Sequence, residues 1–183
     1  SPTISGGLNL VGALGTSRFA LPVAANRGFT IDAANPLNVT VPVSGMNLAI
    51  DGTVTNNIDM NQVGSGNQRV WLSNVTGGDH TYRGTLTNSV SGDLRLTSGS
   101  NNLILDTNAN ILGGAGATNN LVFGFDYNNP INLTGNNTHT GPTVVSAGKL
   151  QMDGNNSAAT GALTVAANAT LGGGGTIGGA ATI

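Results

Sequence analysis

Short apolar pairs recur along most of the chain, and they restrict its fold more than any other feature. In each pair one residue separates two apolar side chains, and many neighbouring pairs lie roughly ten residues apart. The pairs include Leu8/Leu10, Phe19/Leu21, Phe29/Ile31, Val39/Val41, Leu48/Ile50, Val70/Leu72, Leu94/Leu96, Leu103/Leu105, Leu121/Phe123, Ile131/Leu133, Leu150/Met152 and Leu163/Val165. Because side chains alternate between the two faces of a strand, both members of a pair point to one face. The pattern predicts many short strands, each with one buried face.

The composition argues against helices throughout. Glycine accounts for 29 of the 183 residues, glutamate is absent and Lys149 is the only lysine. Helix surfaces are normally built from Ala, Glu, Lys, Gln and Arg, whereas Asn, Gly, Thr and Val favour turns and strands. Although only 8% of the residues are charged, 38% are hydrophobic and regularly placed, which argues against a disordered chain. We therefore expect an all-β fold.

Three pairs of segments resemble each other within the chain. Residues 78–84 align with residues 135–141, residues 91–96 with residues 147–152, and residues 103–111 with residues 163–171. The offsets are 57, 56 and 60 residues. A period of this size is too long for one turn of a solenoid, and it fits two or three coils of about 20 to 30 residues each.

This repetition predicts a right-handed parallel β-helix, a β-solenoid of about six to nine coils that spans residues 1–183 as one open-ended domain. Within it, residues 1–75 would form divergent coils, residues 76–133 a degenerate repeat and residues 134–183 a clear repeat. Asparagines that fall in register on successive coils would hydrogen-bond along the stack. The competing fold is an antiparallel sandwich or jelly roll, which the repetition and the lack of Asn-Gly hairpins disfavour.

The segment from residue 131 resembles a known repeat. The matching residues are Ile131-Asn-Leu-Thr-Gly-Asn-Asn-Thr-His-Thr-Gly141, Thr143-Val-Val145, Gly148-Lys-Leu-Gln-Met152 and Gly175-Thr-Ile-Gly-Gly179. They are similar to the autotransporter-associated β-strand repeat, also called the passenger-associated transport repeat. His139 stands where that family usually has tyrosine and where the earlier copy keeps Tyr82. The resemblance implies a bacterial secreted or cell-surface passenger with a parallel β-helix, and it brings no catalytic residues.

Motifs for catalysis, cofactors and metals are missing from the sequence. It has no cysteine, no Gly-x-Ser-x-Gly elbow, no P-loop and no dinucleotide fingerprint. The glycine-rich residues 113–121 are similar to a calcium-binding nonapeptide, but Thr118 replaces the aspartate that would bind the ion. The eight acidic residues are dispersed along the chain, which disfavours the cleft of a polysaccharide lyase. We expect no enzyme activity, no cofactor and no metal site.

Charge and hydropathy also exclude two classes of partner. The net charge of −2 gives no electrostatic attraction to nucleic acid or to an anionic membrane, and aromatic residues, at 4%, are too sparse for a base-stacking surface. No stretch of the chain approaches the eighteen apolar residues that a membrane-spanning helix needs. We expect neither nucleic-acid binding nor membrane insertion by this segment.

Four residues are candidates for binding or contact: Trp71, Tyr82, Tyr127 and His139. Strand parity turns Trp71 outward, where it would stack on a sugar ring or lie in a subunit contact; the alternative is an indole covered by an adjacent loop. The histidines, His80 and His139, are expected at exposed turns or loop edges.

The ends of a solenoid expose unpaired backbone and apolar side chains. No charged or helical cap is visible at residues 180–183, so the last coil would stack either on the remainder of a longer passenger or head to tail on another subunit. Candidates for end stacking are Leu8, Leu10, Ile177 and Ile183. The leading hypothesis is a non-catalytic extracellular stalk or fibre segment. The second is an adhesin that binds glycan or host protein through side loops, and the third is a polysaccharide-cleaving enzyme.

Overall fold

The regular elements of the described chain are all β-strands. The computed structural model describes residues 8–11, 18–20, 37–40, 46–50, 52–55, 58–59, 70–74, 77–87, 93–99, 101–106, 121–124 and 129–183. The strands are β1 (Leu8–Val11), β2 (Arg18–Ala20), β3 (Leu37–Thr40), β4 (Met46–Ile50), β5 (Thr53–Val54), β6 (Ile58–Asp59), β7 (Val70–Asn74), β8 (His80–Tyr82), β9 (Leu86–Thr87), β10 (Leu94–Leu96), β11 (Leu103–Leu105), β12 (Leu121–Phe123), β13 (Pro130–Leu133), β14 (Thr143–Val145), β15 (Gly148–Met152), β16 (Asn155–Asn156), β17 (Leu163–Val165), β18 (Ala169–Gly172), β19 (Thr176–Ile177) and β20 (Ala181–Thr182). The prediction of an all-β chain is confirmed.

The strands stack in parallel on successive coils. The first sheet has the order β2-β4-β7-β10-β12-β14-β17-β20, and the second sheet has the order β5-β8-β11-β13-β15-β18. The chain passes from the first sheet to the second and then through a third segment, which holds β6, β9, β16 and β19, before it returns to the first sheet. A separate pair is formed by β1 and β3. This path is that of a β-solenoid, as predicted.

The register gives the length of each turn. Register partners on successive coils are Met46 and Val70, Leu94 and Leu121, Thr143 and Leu163, and Leu163 and Ala181. One turn takes 24 residues at the first of these pairs, 27 at the second, 20 at the third and 18 at the last. About four coils can be followed nearly without a break in the described residues, slightly fewer than the six to nine that were predicted.

Apolar columns run through the interior of both sheets. Strands β10, β11, β13 and β14 alternate between buried and half-buried positions, as the apolar pairs predict. In the first sheet the column contains Leu72, Leu96, Phe123, Val145 and Val165; in the second it contains Tyr82, Leu105, Leu133 and Met152. Burying one such side chain contributes roughly 1.5–3 kcal/mol, so these columns are the main source of stability.

The internal sequence repeat does not coincide with the structural coil. Residues 103–105 lie in the second sheet, where they pair with residues 80–82 and 131–133. Their sequence counterparts, residues 163–165, lie in the first sheet and pair with β14 and β20. The two copies therefore occupy different sides of the solenoid. The physical reason is that an apolar pair fits the interior equally well from either sheet, so the pattern identifies a strand but not its side.

Candidate functional site

The indole of Trp71 is covered, although its strand position is on the outer face. Trp71 and Arg95 are register partners on adjacent strands of the first sheet. The next residue, Leu72, points to the opposite, inner face. Trp71 is nevertheless only 6% exposed. The Arg95 guanidinium carbon is 6.0 Å from the ring centroid, and its Nη2 donates to Asp93 Oδ2 at 2.8 Å. Of the two alternatives for Trp71, the structure therefore shows the covered indole, and a sugar ring has no open aromatic face here.

Tyr82 is a core residue rather than a binding residue. It is fully buried on the inner face of β8, and its hydroxyl donates to the carbonyl oxygen of Thr85 at 2.9 Å. Burial raises the pKa of Tyr82 well above its ordinary value, because the phenolate would lose its hydration. Its position in β8 places the ring inward, in register with Leu105, so Tyr82 packs in the core and does not lie on the surface where a contact residue was expected.

Both histidines are buried, which corrects the expectation of exposed turns. His80 is 6% exposed and its Nδ1 accepts a hydrogen bond from the Gly52 amide at 2.7 Å. His139 is 5% exposed, and its Nε2 lies 2.9 Å from Thr143 Oγ1. The Nδ1 atom of His139 is buried and has no hydrogen-bond partner among the described residues. Burial lowers the pKa of His139 to about 4, so the ring is neutral near neutral pH.

A buried polar column crosses the third segment of two successive coils. Asn137 and Asn156 are both fully buried, and Nδ2 of Asn137 donates to Oδ1 of Asn156 at 2.6 Å. Each Nδ2 also donates to the carbonyl oxygen two residues earlier, that of Gly135 at 3.4 Å and that of Gly154 at 3.2 Å. This contact confirms the prediction that asparagines in register bond along the stack. The buried Oδ1 of Asn137 has no hydrogen-bond partner among the described residues.

A second ladder follows the exposed side of the same segment. The backbone amide of Asn155 donates to Oδ1 of Asn136 at 3.2 Å, and Thr176 Oγ1 donates to Oδ1 of Asn155 at 2.7 Å. Three coils are thus joined by side-chain hydrogen bonds in addition to the backbone ladder. Such neutral bonds stabilise a stack in which charged residues are few.

Asn74 joins two coils at the end of β7. Its Oδ1 accepts a hydrogen bond from the Gly99 amide at 2.5 Å, and its Nδ2 donates to the Asn101 carbonyl oxygen at 3.4 Å. Asn74 is buried, and the apolar pairs gave no signal for it. The feature of the sequence that could have indicated this role is the Asn101-Asn102 corner one coil later, which supplies the acceptor for Asn74.

The remaining predicted contact residues fall at the ends of the described chain or outside it. Tyr127 lies outside the described residues. Leu8 and Leu10 belong to β1, whose register partners are Leu37 and Val39. At the other end Ile177 is 41% exposed and Ile183 is 91% exposed.

The ion pairs and titratable groups of the described part of the chain are scattered. Arg83 Nε donates to Asp106 Oδ2 at 3.1 Å, and both side chains are well exposed. Over the residues whose placement is described, no three His, Asp or Glu side chains come close enough to hold a metal ion. The same residues contain no helix long and apolar enough to cross a membrane. The arrangement orders backbone and side chains along a stack.

Comparison with known proteins gives one partial similarity. Over 51 residues, 28% of the chain, the sequence is 57% identical to a protein of Brucella suis biovar 1 (strain 1330) named Adhesin BmaC autotransporter. The matched stretch is 2% of that protein, so the chain spans a very small part of its relative's length. No family model and no solved structure matches the chain. The similarity and the solenoid both fit a passenger repeat, while the particular repeat family stays a prediction.

Proposed function

We propose that this chain is a non-catalytic structural segment of a bacterial surface or secreted passenger, and that its coils act as a stalk. One observation carries the proposal: the parallel coils share continuous inner columns, from Leu72 to Val165 in the first sheet. The similarity to an autotransporter adhesin supports the bacterial surface location.

A stack of this kind suits a stalk for a physical reason. Each coil contacts only the coils above and below it, at a spacing of about 4.8 Å, so length grows with the number of coils and the cross-section does not. The Asn137–Asn156 pair and the Asn136–Asn155–Thr176 ladder add side-chain bonds along the same axis. The chain has no cysteine, so these contacts and the apolar columns hold the coils together without disulfides.

Export of the chain as a passenger tests this proposal. The chain is fused to a secretion signal and to the translocating barrel of an autotransporter in a Gram-negative host. We expect the chain on the cell surface, where an antibody to an added epitope labels intact cells and where the folded coils resist trypsin. Retention of the chain in the periplasm, with the barrel alone inserted, would contradict the passenger role.

Adhesion through side loops is the second candidate, and the name of the relative favours it. Because Trp71, Tyr82 and His139 are buried, this candidate depends on Tyr127, which lies outside the described residues. Glycan-array and host-cell binding by the purified chain tests it: binding that is lost in Tyr127→Ala, with unchanged circular dichroism, would make adhesion the primary role. Equal binding by the variant would remove the tyrosine from this candidate.

Head-to-tail assembly of separate copies, through Leu8 and Leu10 against Ile177 and Ile183, stays a prediction. Sedimentation over a hundredfold concentration range measures it. Fibres or a growing sedimentation coefficient are expected if the copies stack, whereas a constant monomer at all concentrations would rule out assembly by this route.

A further inference from the structure

Asparagines that begin an Asn-x-Ser/Thr sequence are spread along the chain. This sequence is the acceptor pattern for attachment of a glycan to the asparagine amide. The asparagines that begin it are Asn38, Asn74, Asn132, Asn136, Asn155 and Asn168. A chain rich in asparagine and threonine contains several such sequences by composition alone, so the pattern by itself identifies no site. The surroundings of each side chain separate the described ones.

Two of these asparagines lie where a modifying enzyme has no access in the folded chain. Asn74 is buried, and its Nδ2 donates to the carbonyl oxygen of Asn101 at 3.4 Å. Asn132 lies within β13, is half-buried and has a buried Oδ1. A glycan is a bulky surface group and needs an exposed attachment point. Neither side chain provides one.

Asn155 exposes its side chain while the carboxamide oxygen is held in place. Its Oδ1 accepts hydrogen bonds from the backbone amide of Ser157 at 3.1 Å and from Thr176 Oγ1 at 2.7 Å. Its Nδ2 donates to none of the described residues. Because both bonds use the oxygen, a substituent on Nδ2 leaves them intact. Asn136 lies on the coil before and Thr176 on the coil after, so this exposure is not that of a terminal coil.

The residues around Asn155 alternate between the outer and the inner face. Asp153, Asn155 and Ser157 are exposed, whereas the intervening Gly154 and Asn156 are buried. All three exposed side chains therefore face the same side of the coil.

Asp153 distinguishes this acceptor sequence from the other five. Many bacterial oligosaccharyltransferases require an acidic residue two positions before the asparagine, in addition to the serine or threonine after it. Asn155 alone among the six has one, since the others are preceded there by proline, leucine, threonine or alanine. The Oδ1 of Asp153 accepts a hydrogen bond from the Gly174 amide at 3.0 Å, which orients the carboxylate on the exposed side.

We propose that Asn155 is an acceptor for N-linked glycosylation, with an oligosaccharide carried on a lipid pyrophosphate as the donor. Nδ2 of Asn155 forms a bond to C1 of the first sugar, and the bond between C1 and the pyrophosphate oxygen breaks. The lipid pyrophosphate leaves, and the amide nitrogen gives up one proton to a base of the transferase. The inference rests on the proposed surface location, because this class of transfer takes place outside the cytoplasmic membrane.

The test incubates the purified, folded chain with a purified bacterial oligosaccharyltransferase and a lipid-linked oligosaccharide. Glycopeptides are then mapped by mass spectrometry, and we expect one glycan, on the peptide that contains Asn155. Ser157→Ala is expected to lose it, although the variant keeps the Asn155 contacts, since Ser157 contributes only its backbone amide to them. Asp153→Asn keeps an oxygen for the Gly174 amide and is also expected to lose the glycan.

Asn136 supplies the matched control within the same chain. It is exposed, and its Oδ1 is likewise held, by the Asn155 amide at 3.2 Å, but Thr134 stands where an acidic residue is required. We expect no glycan on Asn136 in the original chain and a second glycan after Thr134→Asp. Equal occupancy of Asn136 and Asn155 in the original chain would overturn the role of Asp153.

A synthetic peptide of residues 150–160 is the positive control for the transferase. Glycosylation of the peptide but not of the folded chain would overturn the proposal, because the coil would then hide the site. Transfer to neither would overturn it as well. The reaction is carried out without export, so its failure is distinguishable from failure of the passenger role.

Discussion

The two sheets and the third segment of the solenoid fill the same interior with different chemistry. In the second sheet the inner positions of successive coils hold Leu105, Leu133 and Met152. In the third segment of one coil the inner positions hold Gly135, Asn137, His139 and Gly141, all of them buried. The sheets are stabilised by apolar contact, whereas the third segment depends on hydrogen bonds and on close backbone approach.

This difference separates tolerant from intolerant positions. A position in an apolar column requires a side chain of the right volume, and several apolar residue types have that volume. A buried amide needs a partner at a fixed place on the next coil, and a corner glycine needs the absence of any side chain. We therefore expect substitutions in the third segment to be the more damaging for the same change in size.

The largest effect is expected from Gly161→Ala. Its Cβ would collide with the Gly141 carbonyl oxygen, so the two coils must separate locally. We expect the free energy of unfolding to fall by about 3 kcal/mol or more, measured by urea denaturation. The matched control is Gly174→Ala, where a Cβ meets nothing within 4 Å. Equal stability of the two variants would contradict the close approach at this corner.

A pH-dependent loss of stability is expected from His139. The pKa of about 4 in the folded chain lies below the ordinary value near 6.5, so the unfolded chain binds the proton more readily between these values. Stability is therefore full above about pH 6.5 and falls as the pH is lowered towards 4, by roughly 2–3 kcal/mol. Protonation places a charge on a ring whose Nδ1 faces no acceptor among the described residues.

Urea denaturation at pH 7 and pH 4 measures this loss, with His139→Tyr as the control. The variant keeps every other titratable group, including His80, so the difference between the two proteins isolates the ring of His139. An identical pH dependence for both proteins would show that His139 titrates normally.

The buried asparagine pair is expected to be coupled. Asn156→Ala removes the acceptor of the Asn137 amide and leaves that amide buried, at a cost of about 1–3 kcal/mol. Replacing both residues with leucine removes donor and acceptor together, and we expect the double variant to be more stable than either single leucine variant. Thermal denaturation of the original chain, Asn137→Leu, Asn156→Leu and the double leucine variant measures the coupling energy. Strictly additive losses of stability would contradict a direct bond.

The smallest effect is expected in the apolar columns. Leu133→Met keeps the volume of a fully buried side chain in the second sheet, so we expect a loss below about 1.5 kcal/mol. A larger loss than that of Asn156→Ala would reverse the contrast between the sheets and the third segment.

The sequence alone predicts the parts of this fold that depend on a local pattern. Alternation in Leu94-Arg-Leu96 and Leu103-Ile-Leu105 predicts short strands with one buried face, and both are observed. Alternation does not reveal what covers an outer face, and for Trp71 it therefore left both an exposed and a covered indole open. It also does not reveal which inner positions accept polar groups, and the burial of His139 and Tyr82 was missed for that reason.

The sequence pattern also does not predict which sheet of the solenoid each strand belongs to. Residues 103–105 and 163–165 carry the same apolar pair and were aligned as copies of one unit, yet they lie in different sheets. Turn lengths that shorten from 27 to 18 residues change the side on which a given pattern falls. The partners of each strand therefore follow from the three-dimensional register and not from sequence likeness.

Pairs of spin labels test that register most directly, because the chain has no native cysteine. In the parallel stack Val144 and Thr164 are register partners on adjacent coils, whereas Ile104, the sequence counterpart of Thr164, lies in the other sheet. Nitroxides on Val144→Cys/Thr164→Cys are predicted to show strong spin–spin broadening, and those on Ile104→Cys/Thr164→Cys are predicted to show none. Broadening in the second pair and its absence in the first would contradict the solenoid described here.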